Sequence, residues 1–80
     1  FPVSAGHALL VPRRHVASWF DTTPPERLAL IEAIDRAKAE IERARSPDGY
    51  NIGVNVGAAA GQTVFHLHVH VMPRYRGDVP

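Results

Sequence analysis

Three imidazoles stand at two-residue intervals in His66-Leu67-His68-Val69-His70. An extended chain alternates its faces with period two, so the spacing predicts the histidines on one side and Phe65, Leu67, Val69 and Val71 on the other. Histidine titrates near pH 6.5 and serves at neutrality as nucleophile, base or acid. A row of three on one face makes a reactive site, a metal site or a packed polar face. One ion held by all three is disfavoured: His66 and His70 would stand roughly 13 Å apart on a straight strand, whereas a ligand nitrogen lies about 2 Å from zinc. No metal is therefore assigned. His7 at a strand mouth, His15 beside Arg13-Arg14, Asn55, Gln62, Thr63, Arg74 and Arg76 each have an ordinary reading as loop or solvated residues. Spacing alone leaves the reactive and the bland readings open.

The elements that must position these groups are legible from pattern. After an irregular entry at Pro2, Ser4 and Gly6, the run Ala8-Leu9-Leu10-Val11-Pro12 reads as a short strand. Ser18-Trp19-Phe20 reads as a turn or short helical piece. Thr23 as N-cap, Pro24 at the first helical position and Glu26 three residues after the cap form a capping box, so a helix starts here. Its apolar stripe is Leu30, Ile34, Ala37, Ile41 and Ala44, supported by Leu28, Ile31 and Ala33. Glu32/Arg36, Arg36/Glu40 and Lys38/Glu42 are spaced to pair on its polar side. The helix runs to about Arg45, and Ser46-Pro47-Asp48-Gly49 ends it.

Tyr50 to Val56 then alternates as a second strand, with Tyr50, Ile52, Val54 and Val56 on one face and Asn51, Gly53 and Asn55 on the other. A small-residue loop, Gly57 to Gly61, joins it to a histidine strand expected over Val64 to Met72, which favours an antiparallel pair. With the apolar faces of both strands against the helix, Asn55 and the histidines share a polar groove. The fold class is α+β: an antiparallel sheet with one main helix.

Eighty residues make one small domain. Nine basic against eight acidic residues leave a formal charge of +1, which gives no broad footprint for nucleic acid or an anionic membrane. With no cysteine, no disulfide staples it. No apolar run reaches the roughly 20 residues of a membrane span, and no leader opens the chain. A start at Phe1-Pro2-Val3 and a stop at Val79-Pro80 read as a domain cut from a longer chain.

The ordered set resembles the histidine triad (HIT) superfamily of nucleotide hydrolases and transferases. The resemblance runs through Gly6-His7, Pro12-Arg13-Arg14-His15-Val16, Tyr50 to Gly57, and Gly61-Gln62-Thr63-Val64-Phe65-His66 to Arg74, where the signature of three histidines alternating with apolar residues fits at every place. It implies one domain over 1–80, with the family's N-terminal strands largely absent. It implies His68 as nucleophile on the α-phosphorus of a nucleotide, His70 as donor beside the leaving group, and His66 and His7 as orienting groups. Asn55, Gln62 and Thr63 fall at phosphate-contacting positions.

Gln62-Thr63-Val64 before the triad and Met72-Pro73-Arg74 after it resemble the fragile-histidine-triad branch, which splits dinucleoside polyphosphates, with Arg74 adding charge for the leaving nucleotide if it turns to the groove. The alternatives are a nucleoside phosphoramidase and a nucleotide-binding or metal-binding module with little turnover. The resemblance further implies a homodimer acting on a nucleotide, with no required cofactor, room for a divalent cation to accompany the substrate, no nucleic-acid or membrane partner, and a cytoplasmic location.

Overall fold

The computed structural model describes residues 6–78, so the entry at Pro2 and Ser4 and the end at Val79-Pro80 lie outside the described residues. Strand β1 (Ala8–Leu10) is followed by a 3-10 turn (Trp19–Asp21), helix α1 (Pro24–Ala44), β2 (Gly49–Val54), a second 3-10 turn (Ala58–Ala60) and β3 (Val69–Arg74). The sheet order is β1-β3-β2, with both pairings antiparallel. This is the expected α+β arrangement.

The start of α1 is fixed by local chemistry. The Thr23 hydroxyl accepts from the Glu26 N–H, the Glu26 carboxylate accepts from the Thr23 N–H, and proline occupies the first turn. Arg14 donates to both Glu26 oxygens, at 2.9 and 2.8 Å. Its hydrogen bond, followed by that of the Thr23 N–H, holds the Glu26 carboxyl down at about 2. The loop after β1 is thereby tied to the helix start. At the other end the Arg45 N–H donates to the Ile41 carbonyl, close to the expected terminus.

Leu30 and Ile41 are the buried residues of α1, and Ile34 packs against the cluster that holds Leu30. Leu28 and Ile31 are exposed and do not support the stripe. At about 100° per residue, Leu28 falls nearly opposite Leu30 and Ile31 on its flank. Of the three expected pairs on the polar side, Lys38–Glu42 closes at 3.2 Å, whereas Glu40 meets Arg43 instead of Arg36.

The core gathers Val16, Leu30, Leu67 and Val69, flanked by Leu10, Trp19, Ile34 and Val54. Helix α1 lies over β1 and β3 and reaches β2 near its start, where the Tyr50 hydroxyl donates to Glu42 at 3.0 Å. The expectation that the apolar face of the second strand meets the helix therefore fails at Ile52, which is exposed although its ladder partner Val71 is fully buried.

The histidine strand also begins later than expected, at Val69 instead of Val64. The reason is the reach of its neighbours: the last ladder partners are Leu10 of β1 and Val54 of β2, both opposite Val69. Residues 64–68 have no strand to pair with. Alternation nevertheless persists through this lead-in, with Leu67, Val69 and Val71 buried and the three histidines half-buried between them. Phe65 breaks the pattern: it is 56% exposed, beyond the layer that α1 covers.

Candidate functional site

In the ladder His70 faces Leu9 on one side and Gly53 on the other, so these three share the face opposite the helix. An open cleft of about 550 Å³ lies on this face. Its polar lining is Asn55, Thr63, His66, His68 and His70, and Leu9, Val11 and Val64 form an apolar wall. A hollow of about 630 Å³ beyond β1, against the start of α1, is larger but holds no histidine, and Arg14 and Glu26 in its lining are engaged with each other. The histidines of the triad gather in the smaller cleft.

Each ring is held by a different contact. The His68 Nδ1 lies 3.0 Å from the His66 carbonyl. A carbonyl only accepts, so Nδ1 carries the proton and, in the neutral ring, Nε2 keeps its lone pair. The His66 Nε2–H likewise donates to the Pro12 carbonyl at 3.3 Å. His70 sets its Nδ1 3.2 Å from Nε2 of His7, and one proton is shared between those two nitrogens. His7 is 9% exposed. Burial, reinforced by the nearby His68, pushes the pKa of both His7 and His70 below the ordinary histidine value. Both are therefore neutral at pH 7.

The rings form a row, His68 to His70 at 4.9 Å between centroids and His70 to His7 at 5.3 Å. His66 instead meets His15 edge to face at 4.4 Å. Sequence reading missed His15 as a neighbour of the site, because only the fold of the loop after β1 brings it back. It also missed the wall residues Leu9 and Val11. Leu9 was recoverable in principle, since it has the opposite parity to the core residue Leu10 in β1.

Of the remaining expected site residues, Thr63 lines the cleft and is exposed. Asn55 lines it too, while its Nδ2 donates to the Ala60 carbonyl at 2.6 Å and so braces the 3-10 turn. That turn is bounded by Gly57 at φ +86° and Gly61 at φ +90°, values at which a side chain is strained, so glycine is required at both ends. Gln62 is buried and absent from the lining of the cleft. Arg74 does not turn to the groove: it donates to Asn51 at 2.9 Å and to Asp78 at 3.2 Å. Among the described residues, no group of three or more His, Asp or Glu side chains is placed to hold a metal ion. Nor is any helix among them long and apolar enough to cross a membrane.

The sequence matches the model of the HIT domain over residues 1–77. The chain belongs to the HIT family. It is 40% identical over 77 residues to the asymmetrical bis(5'-nucleosyl)-tetraphosphatase of Schizosaccharomyces pombe, covering 96% of this chain and 42% of that protein. It is 39% identical over 79 residues to the AP-4-A phosphorylase of Mycobacterium tuberculosis, covering 98% of this chain and 40% of that one. Among solved structures, the NitFhit protein of C. elegans superposes with a TM-score of 0.92 at 38% identity, over 100% of this chain and 19% of the other. The chain thus spans about two-fifths of these curated relatives. HIT proteins process nucleotides as hydrolases or transferases, and the cleft of this HIT domain presents its histidines on one face.

Proposed function

We propose that this HIT domain belongs to a hydrolase that cleaves dinucleoside polyphosphates at the α-phosphate through a nucleotidyl-histidine intermediate. The observation that carries the reading is the bond from His68 Nδ1–H to the His66 carbonyl, which leaves the Nε2 lone pair of a cleft-lining ring available for attack. In the first step Nε2 forms a bond to the α-phosphorus and the bond to the bridging oxygen breaks, and the departing nucleotide leaves as a phosphate anion whose new oxygen accepts a hydrogen bond from the neutral His70 ring. Water then attacks the phosphorus and gives up a proton to the solvent, the P–N bond breaks, and a nucleoside monophosphate leaves as the neutral imidazole is restored. Covalent catalysis divides one difficult displacement into two easier ones. Asn55 and Thr63 line the rim that faces the phosphates, where donors stabilise the spreading charge. The likeness to a tetraphosphatase supports the choice of substrate.

Phosphoramidate hydrolysis is the second reading. Engagement of Arg74 by Asn51 and Asp78 removes the fixed charge that would have favoured a polyphosphate leaving group. A side-by-side assay of the complete protein decides: the proposal expects a higher kcat/KM for a diadenosine polyphosphate than for adenosine phosphoramidate, and the reverse order selects the second reading. In the same assay His68→Ala lowers turnover at least a thousand-fold and abolishes the acid-quenched covalent adduct, while nucleotide binding is partly retained. Undiminished turnover moves the nucleophile elsewhere.

A further inference from the structure

Gln62 lies in sequence between two residues that line the cleft, Gly61 and Thr63, yet is itself absent from that lining and only 5% exposed. A primary amide has two N–H donors and one acceptor oxygen. Both donors are in use: Nε2 gives one proton to the Ala17 carbonyl at 2.7 Å and the other to the Val64 carbonyl at 3.1 Å. Oε1 accepts the Gly57 N–H at 2.8 Å. A phosphate oxygen needs a donor, and this amide has none to spare without giving up one of its two carbonyl partners.

The three partners lie on three separate stretches of chain. Gly57 opens the glycine-bounded turn, Val64 leads into the histidines, and Ala17 belongs to the loop after β1. The turn is closed twice, since the Gln62 N–H also donates to the Gly57 carbonyl at 3.1 Å. Next to Ala17, the Val16 carbonyl accepts the Leu67 N–H at 2.7 Å. These two clips dock the unladdered lead-in to the histidines on residues 16–17.

We infer that Gln62 is a positioning residue: it sets the rim carrying Gly61 and Thr63 against His68 through its three part-buried hydrogen bonds and does not itself touch substrate. The inference rests on the reading above, in which the cleft takes the phosphates of a nucleotide, and it departs from the phosphate-contacting role that resemblance implied for this residue. Its effect falls on the alignment of the reacting groups. Misalignment of about an ångström costs up to about 100-fold in rate.

The test uses the complete protein with Gln62→Glu and Gln62→Met, which keep side-chain length and remove both amide donors. At temperatures where both variants are folded, kcat falls about 10- to 100-fold. KM changes less than about threefold, and equally for diadenosine triphosphate and tetraphosphate, because binding is not what the residue supplies. A tenfold rise in KM with kcat unchanged, or a loss that grows with the number of phosphates, makes Gln62 a direct ligand and overturns the inference. Unchanged kcat and KM in a folded variant overturn it as well.

A variant-free arm covers failure to fold. In the wild-type protein the Gln62 side-chain amide protons and the Gly57 amide exchange slowly with solvent, and the Gln62 side-chain signals stay in place when adenosine monophosphate is added, while the Thr63 amide moves. Fast exchange, or a shift of the Gln62 side chain with nucleotide, overturns the inference. Slow exchange with no cleft signal responding to nucleotide leaves the clip standing and refutes the functional reading instead.

Discussion

From Val69 to Val71 the chain is paired on both sides, to β1 and to β2, and on to Arg74 it is paired to β2, whereas residues 62–68 have no strand partner and are held by individual bonds. His70 is fixed by a ladder. His66 and His68 are fixed by what their own ring nitrogens find, the Pro12 carbonyl for one and the His66 carbonyl for the other. The contrast suits the chemistry proposed for each. A ring that attacks phosphorus needs a defined tautomer and an open side, and a carbonyl partner supplies the first without closing the second. A ring that works as donor or acceptor in a line with His7 needs a rigid distance, which two flanking strands provide.

The comparison is tested most severely at Leu67. It lies in the unladdered half yet is fully buried, within the core cluster that joins Val16, Leu30 and Val69. Packing, not pairing, anchors the lead-in there. Leu67→Ala should cost about 2–5 kcal/mol, because it removes a large side chain from a closed site and leaves a cavity. Urea unfolding of the complete protein measures this. A cost below about 1 kcal/mol would mean that the lead-in is loosely seated and that its two clips to residues 16–17 carry the whole task.

A smaller effect separates the halves by pH. His7 and His70 have pKa values pushed down by burial and by the neighbouring His68. In the unfolded chain each takes a proton near pH 6.5, so below that value the unfolded state binds more protons than the folded one. Stability should be flat above about pH 7 and fall as pH drops from about 6.5 through the lowered folded values. His7→Asn should flatten part of that slope. The carboxylates are separable from it: Glu26, at about 2, loses its contribution only in far more acidic solution. Denaturant midpoints at pH 8, 7, 6 and 5 decide the matter, and stability that rises between pH 7 and 5 would show that the pair is not held neutral.

What could be read from the sequence follows the same division. Helix α1 was legible because its signals are local: Thr23, Pro24 and Glu26 act within one turn, and the stripe through Leu30, Ile34 and Ile41 needs only the helical period. The alternation of the histidines was legible for the same reason, since it depends on the backbone alone. The start of β3 was not, because a ladder extends only as far as its partners, and Leu10 and Val54 end it at Val69. The exposure of Ile52 depended on where α1 crosses the sheet. Contacts between distant segments, such as His15 against His66 or Arg74 with Asn51, carry no local signature.

Phe65 gives the smallest effect and the sharpest check. By parity it belongs with Leu67, Val69 and Val71, and a regular strand from Val64 would bury it with them. It is 56% exposed instead, because the lead-in diverges from the sheet before the helix can cover it. A partly exposed phenylalanine that fills no core cavity contributes little to folding, so Phe65→Ser should change stability by no more than about 0.5 kcal/mol. It should leave turnover within about twofold, since the ring is absent from the lining of the cleft. Measured beside Leu67→Ala under the same conditions, the pair isolates burial from sequence parity. If Phe65→Ser proves as costly as Leu67→Ala, the lead-in is packed like a strand after all, and the contrast between its two halves disappears.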